Sequence, residues 1–449
     1  MNFTKFAYRA TIALIWALAL WHSWACRGLF VDGSGFLIQI VRREWFFDFY
    51  PPRLFAMVVA QVPIMIGIHA GSTDLHLLAM LLSFGLFGLP TALYTLALWR
   101  AKEDPILLAA VIAAIGIVFM TTSFFIIGEY NSAYAIAVLT AVLLARVERL
   151  RLGEAVLLLV ISALAMRTYE AMIYLGPLLA MMVLWMLWRQ QSRPWLATCI
   201  YLACAVFFLL GMAVAIDSVV HPWSESHLDE TYDTAKNFWQ NMQFDLALGG
   251  ALVVVAWGLL RPDDFASAKP YRWAGIATLI LALSPLLAIG DTLVRPLAKS
   301  QYVARTAGGL VIVAIVVFIW TYKSELHRRF KAMVLLREPR NGRRFLVFAC
   351  MILVASLPSD IFLTSTWISY LKALRQTVVA HSGEVAFEDT PLSRRPHVLL
   401  VENWALPSQS VAVRSRAGNG VIAPPRGFKD WMPFAPSDPP DLGRFGWRD

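Results

Sequence analysis

Charge is what this sequence has least of. Only 15% of its 449 residues are Asp, Glu, Lys or Arg, and 58% are hydrophobic. A soluble domain carries about 25% charged and roughly 45–50% apolar residues. So little charge cannot cover an aqueous surface, and the mean hydropathy of +0.60 also excludes a disordered chain. Cysteine is scarce too. Cys26, Cys199, Cys204 and Cys350 lie in or beside apolar runs and form no CxxC, which argues against a disulfide scaffold, a zinc knuckle or a redox pair. No P-loop, GxSxG or HExxH occurs, which disfavours nucleotide hydrolysis, serine hydrolysis and zinc proteolysis. Internal repeats are missing as well. What remains is an all-α polytopic membrane protein.

Apolar segments suited to a hydrocarbon core of about 30 Å lie at 7–26, 51–70, 75–99, 105–127, 131–146, 153–166, 170–188, 195–217, 244–260, 272–291, 304–322 and 344–358. Lys5 and Arg9 precede the first run and no small-residue cleavage site follows it, so a retained first helix is expected rather than a signal peptide. The net charge of +9 is placed for lipid, not nucleic acid. Between Lys323 and Arg344 stand eight basic residues against Glu325 and Glu338, a cytoplasmic signature. Alternating spans put the basic loops 261–272, 189–193, 146–151 and 100–102 on the same side. Glu129–Asn131, Arg167–Glu170, His221–Met242, Asp291–Arg305 and the tail then face the other compartment.

Lys5, Arg9, Arg100 and Lys102 all belong inside, yet three crossings would separate them. One segment must not cross. The weakest is 51–70, which begins Pro51-Pro52-Arg53 and contains Gln61, Pro63 and His69; it suits an interfacial or re-entrant helix. The expectation is eleven spans over 1–358, with the N-terminus cytoplasmic and a first outer loop at 27–74 carrying interfacial helices. In that loop 34–47 reads as an amphipathic helix behind the turn Asp32-Gly33-Ser34-Gly35. The tail, 359–449, is expected to be a small outer appendage with an amphipathic helix at 361–380 and short strands at 397–401 and 411–413.

With no sizeable soluble domain, chemistry is expected at the outer ends of the spans, where an ionisable side chain is costly unless used or paired. Asp32 serves either as a helix cap or as a general base, and the two roles are compatible. Glu129-Tyr130-Asn131 forms a tight outer turn and supplies a second carboxylate for acid–base or metal work. In Arg167-Thr168-Tyr169-Glu170 the two charges either pair with each other or Arg167 joins an anion site. Arg295, Lys299, Tyr302 and Arg305 face one acid in an outward loop, against the positive-inside tendency. They ask for an anion at phosphate depth, or else snorkel to headgroups. The loop from His221 to Met242 holds two histidines and several acids, but matches no ligand template and reads as solvated.

An Asp on the first outer loop, an interfacial helix, and Tyr50-Pro51-Pro52-Arg53-Leu54 leading to a non-crossing apolar helix and Gly71 together resemble the GT-C superfamily of integral-membrane glycosyltransferases. The protein-mannosyltransferase and lipid A aminoarabinose-transferase branches are the most similar. The motifs cover about residues 1–175, with looser likeness to about 322. Many relatives carry an acidic pair where this chain has Asp32 alone, and Pro-Pro-Leu where it has Pro-Pro-Arg. The resemblance implies an inverting transfer of sugar from a polyprenyl-phosphate donor to a cell-envelope acceptor at the periplasmic face of a bacterial inner membrane. Asp32 would be the base and Glu129 would orient the acceptor or help hold a divalent metal, which some relatives need. Arg53, Tyr130, Asn131, Arg167, Glu170 and the 295–305 group would bind substrate, and envelope-biosynthesis proteins are the expected partners. A polysaccharide polymerase or ligase using a diphosphate-linked donor is the alternative enzyme. Transport of a lipid-linked saccharide ranks last, because neither pseudo-repeats nor a midplane charge ladder occurs.

Overall fold

The computed structural model describes residues 3–48, 50–124, 126–146, 152–189, 195–221, 236–260, 272–273, 275–277, 279–280, 298–324, 328–394, 396–428 and 432–448. It is 79% helical, and the protein is an all-α polytopic membrane protein. Its helices are α1 (Phe3–Trp24), α2 (Asp32–Arg43), α3 (Leu54–His69), α4 (Leu75–Ala101), α5 (Pro105–Thr122), α6 (Tyr130–Arg146), α7 (Leu152–Ala165), α8 (Met172–Arg189), α9 (Trp195–Val220), α10 (Met242–Leu260), α11 (Ala298–Val303), α12 (Arg305–Lys323), α13 (Lys331–Leu336), α14 (Pro339–Ala380) and α15 (Leu406–Ala412). Among the described residues eight can cross a membrane by length and composition: α1, α3 with Pro51–Arg53, α4, α5, α8, α9, α12 and α14. Shorter apolar helices fall in α6, α7 and α10.

Burial separates the centre from the lipid-facing shell. The α5 span is 89% buried and that of α9 only 33%. The outward side chains of α9, such as Leu202, Val206 and Ile216, are apolar, as hydrocarbon requires. At the centre α5 contains a π turn, Ile115–Phe119. The Gly116 backbone lies so close to α14 that a Cβ there would stand 2.9 Å from the Leu353 Cα. Its carbonyl accepts a 2.7 Å bond from Ser356 Oγ, so the widened turn keeps a partner.

The two ends of the bundle differ in charge. At one end Arg100 pairs with Glu154, Lys323 with Asp104 at 2.7 Å, and Arg337 donates to the Tyr322 carbonyl. Asp104 also caps α5 through the Ile106 and Leu107 N–H groups. The loops around 100–104 and 322–337 therefore gather at one end, together with the start of α7. Residues 147–151, 190–194 and most of 261–291 lie outside the described residues, as does the span expected at 272–291 except for its first few positions.

Helix α3 is a hairpin partner of α4, and its depth follows from register. Trp16 of α1 bonds Thr95 of α4, and Gly28, just after α1, bonds Ser83. Gly85 of α4 packs on the Ala60 carbonyl of α3, level with the far end of α1. Leu54 is six residues before Ala60, about 9 Å of helix, so only the first turns of α3 overlap α1. Its other end, past His69, meets the C-terminal residues: Leu75 N–H donates to Gly446 O and Gly446 N–H to Thr73 O. The far end of α3 thus lies beyond the outer end of α1 while its first turns lie beside α1, and by length and composition α3 is itself able to cross a membrane.

Four expectations are corrected. The helix expected at 34–47 is α2, Asp32–Arg43, closed by Glu44 in the left-handed region at φ 49°. The span 344–358 and the helix 361–380 are one element, the 42-residue α14. Pro358 sits inside α14 and removes one N–H from its hydrogen-bond ladder. The strands expected at 397–401 and 411–413 are a 3-10 turn, His397–Leu400, and α15 with Val413 just past its end. Strand pairing occurs instead between β1 (Glu384–Ala386) and β2 (Val421–Ala423), which run parallel. Gly85→Val would drive a branched side chain into the Ala60 carbonyl. We expect a loss of about 1–3 kcal/mol, read as a lowered unfolding midpoint of the detergent-solubilised protein.

Candidate active site

Asp32 is the first residue of α2, and the backbone before it is strained. Val31, a β-branched residue, has φ 55° and ψ −118°. Among the described residues positive φ also occurs at Cys26, Glu44 and Glu129 outside glycine. Such conformations cost about 1–3 kcal/mol each and gather at functional sites. Three of the four frame one region: Cys26 and Val31 in the turn before Asp32, and Glu129 in the turn before α6. Gly33 makes the approach feasible, since a Cβ there would overlap the Gly28 carbonyl and touch Ile127. Gly35, by contrast, has open space around it and plays no comparable part.

Arg53, in the 3-10 turn Pro51–Arg53, joins two turns that are distant in sequence. Its Nε and Nη2 donate to Glu170 Oε1 at 3.0 and 2.8 Å, and Nη1 reaches Glu129 Oε2 at 3.4 Å. The guanidinium lies 4.8 Å from the Tyr50 ring and 5.0 Å from that of Tyr169. One cation thus holds two carboxylates between two aromatic faces. Glu170 pairs with Arg53 and not with Arg167, whose guanidinium lies 6.0 Å from the Phe55 ring. The Arg167 contribution is through its backbone, which accepts the Phe55 and Ala56 N–H groups and so positions the start of α3.

Burial drives the electrostatics. Glu129 is pushed up to about 8, first by burial, against the opposing pull of Arg53, and further by the charges of Glu170 and Asp32. The carboxyl therefore keeps its proton near neutrality and offers a donor beside the acceptors of Glu170 and Asp32. Tyr169 is also raised, first by burial, so it remains a neutral hydroxyl. The same residue interacts electrostatically with Arg305, Glu170, Arg53 and Glu129, and so links the two arginines.

Arg305 opens α12 and is buried, 6% exposed. Its guanidinium stacks on the Tyr302 ring at 3.5 Å, and its carbonyl accepts the Tyr134 hydroxyl at 2.6 Å. Tyr130 donates to the Thr122 carbonyl at 2.6 Å, and Asn131 Oδ1 accepts from Thr122 Oγ1 at 3.3 Å. Their roles are thus to fix the turn. Yet Asn131 Nδ2, Glu170 Oε2 and Gln301 Nε2 are buried without a hydrogen-bond partner, although Gln301 Oε1 takes the Phe124 N–H. A native structure leaves few such groups unpaired unless water or a ligand meets them. The structure brings together Asp32, Arg53, Glu129, Tyr130, Asn131, Glu170, Tyr302 and Arg305. Arg167 sits at the rim. Arg295 and the side chain of Lys299 lie outside the described residues, as do residues 222–235 of the loop between His221 and Met242.

A second buried charge centre adjoins the first and was not anticipated. Arg27, fully buried, donates from Nη1 to Asp360 Oδ1 and Thr364 Oγ1, both at 2.9 Å. His22 Nε2 is 2.8 Å from Asp360 Oδ2. The Arg27 guanidinium lies 5.1 and 4.6 Å from the rings of Phe87 and Phe124, and its Nε and Nη2 have no hydrogen-bond partner. The available signal was Asp360, the single acid in the whole of α14.

Among the described residues no group of three His, Cys, Asp or Glu side chains is arranged to hold a metal. The arrangement is suited to moving a proton between carboxylates and to neutralising an anion at Arg305. Because the folded pKa of Glu129 lies above its ordinary value of 4.5, its contribution to stability is complete below 4.5 and is lost as pH rises through about 8. Thermal unfolding across that range should show the decline, and Glu129→Gln should flatten it. Comparison with known proteins finds no matching family model, no matching curated protein and no matching solved structure.

Proposed function

We propose that this chain is a membrane glycosyltransferase of the GT-C kind, which moves a sugar from a polyprenyl-phosphate donor to a cell-envelope acceptor. The observation that carries the proposal is a chain of neighbours at one end of the bundle: Glu129 feels the charge of Asp32, and buried Tyr169 feels both Glu129 and the buried cation Arg305. In the reaction an acceptor hydroxyl attacks the anomeric carbon from the face opposite the lipid phosphate. The new C–O bond forms as the bond to the phosphate oxygen breaks, and the electron pair leaves on the phosphate. Asp32 takes the hydroxyl proton as attack proceeds, because a free hydroxyl is too weak an acid to ionise first. Arg305 carries the charge that develops on the leaving phosphate. Protonated Glu129 donates a hydrogen bond that orients the acceptor, and Arg53 keeps Glu129 and Glu170 in place.

Eleven spans with a non-crossing α3 are part of the same proposal. The end that holds Arg100, Lys323 and Arg337 is cytoplasmic by its charge, which makes the Arg53 end and the C-terminal appendage periplasmic in a bacterial inner membrane. The carboxylates and the donor phosphate then share the outer headgroup layer.

Asp32→Asn is expected to lower transfer in a membrane assay by about 10²–10⁴-fold with unchanged insertion. Arg305→Ala should instead raise the donor KM by about tenfold or more, as loss of a charge-assisted bond of about 1.5–3 kcal/mol implies. Wild-type rates from Asp32→Asn would remove Asp32 as the base. Ser72→Cys should react with an impermeant thiol reagent added to intact spheroplasts; labelling only after permeabilisation would place the α3–α4 turn on the other side.

A further inference from the structure

The C-terminal appendage contains a pocket of about 240 Å³, well away from the carboxylates. Its walls come from residues 414–417 and 440–448 and carry Arg414, Arg416, Arg444 and Arg448 against one acid, Asp441. Drug-sized ligands occupy roughly 300–1,000 Å³, so this space suits one charged sugar residue or a phosphate ester.

The pocket is built and fastened, not a loose surface. Arg414 is 5% exposed and uses Nε alone on a carbonyl, that of Gly420 at 3.4 Å. Arg444 is held by Glu44 at the end of α2, and Arg448 Nη2 donates to Thr73 Oγ1 at 2.6 Å. Asp441 Oδ1 accepts the Gly443 N–H. The Trp447 N–H bonds the Arg414 carbonyl at 2.7 Å, and the Trp447 ring stacks on His76 with centroids 4.6 Å apart. Arg416 is exposed and lines the pocket with no carboxylate bound to it among the described residues, so its fork of donors is available to an oxyanion.

Position selects the kind of anion. Leu75, bonded to Gly446 O, is eight residues before Ser83, the residue that meets Gly28; that is about 12 Å of helix beyond the end of α1. Arg414 reaches Gly420, whose N–H bonds Val378 O, eighteen residues and about 27 Å along α14 from Asp360. The pocket therefore stands beyond the end of α1 and far along α14 from Asp360, on the side away from the apolar spans. Through Arg444 the pocket meets α2 at Glu44, the end opposite Asp32, and Asp32 is not among its lining residues, so its occupant is not the reacting hydroxyl. Binding energy collected at a remote point can still be used at the reacting centre.

We propose that this pocket binds an anionic group of a carbohydrate chain, a uronate carboxylate or a sugar phosphate ester, and so selects a negatively charged glycan as acceptor. The word acceptor rests on the transferase reading; the binding does not.

The test uses the full chain in nanodiscs of uncharged lipid. Isothermal titration compares a uronic-acid tetrasaccharide, a neutral tetrasaccharide of equal length and inorganic phosphate, and flotation with phosphatidylglycerol vesicles tests lipid. We expect the uronate or phosphate to bind, the neutral glycan not to bind, and Arg416→Glu to weaken binding at least tenfold with an unchanged unfolding midpoint. Arg416→Lys should restore part of it, and added salt should weaken it. Uronate binding without phosphate binding assigns a carboxylate, and the converse a phosphate ester. No binding of either anion, or equal binding to Arg416→Glu, overturns the proposal, as does Arg416-dependent capture of vesicles without glycan binding. Asp32→Asn should leave these affinities unchanged. Arg416-dependent binding in a protein that transfers nothing would therefore sink the reaction alone, and transfer without such binding would sink the pocket alone.

Discussion

A single buried ion pair, Arg27 with Asp360, closes the bundle. The two residues are separated by 333 positions and join the turn after α1 to the long helix α14. A guanidinium with no exposed surface requires a counter-charge; stripping one partner from such a pair costs about 3–5 kcal/mol, because the other is left buried and uncompensated. His22 and Thr364 complete the shell, and Trp367 Nε1 adds a bond to the Ala25 carbonyl. Together they hold the turn between Cys26 and Val31 in backbone conformations it would otherwise leave. Only with that turn held does Gly28 meet Ser83, Gly33 meet Gly28, and Asp32 emerge at the start of α2. The pair makes no contact with the proposed reacting atoms, yet it fixes where the carboxylate stands.

A second constraint acts at Arg53. Two carboxylates converge on one arginine in a poorly solvated space, and the surplus negative charge is relieved by the proton that Glu129 retains. An apolar bundle thereby acquires a neutral carboxyl donor within a cluster of charged side chains. The strained Val31 and Glu129 backbones belong to the same economy of fixed geometry: the residues that matter for proton transfer are held by the fold and not by solvent.

Much of this was legible in the sequence, for physical reasons. Membrane segments announce themselves through unbroken apolar runs, and basic residues mark one end of the bundle strongly enough to single out α3 as the odd element. By length and composition α3 is nonetheless one of the helices able to cross, so its non-crossing place belongs to the proposal. The outer turns around Asp32, Glu129 and Glu170 could be named because charge is so rare in this chain. What escaped was pairing. Glu170 was read against its sequence neighbour Arg167, but the ridge of α3 delivers Arg53 to it. Asp360 fell at the seam between an expected span and an expected tail helix, so its burial against Arg27 could not be foreseen. The appendage was misread where a 3-10 turn and a short helix replaced strands, because short apolar runs such as His397–Val401 and Val411–Val413 carry no periodicity that distinguishes them.

Helix α14 spans about 63 Å at 1.5 Å per residue and has one built-in weak point, Pro358, where an N–H is missing from its ladder. That point lies two residues from Asp360. The joint of the long rod and the clamp that holds it to α1 therefore coincide. The rod is thus braced where it is weakest, and the appendage at its end is tied back to the bundle again through Arg444 to Glu44 and Arg448 to Thr73.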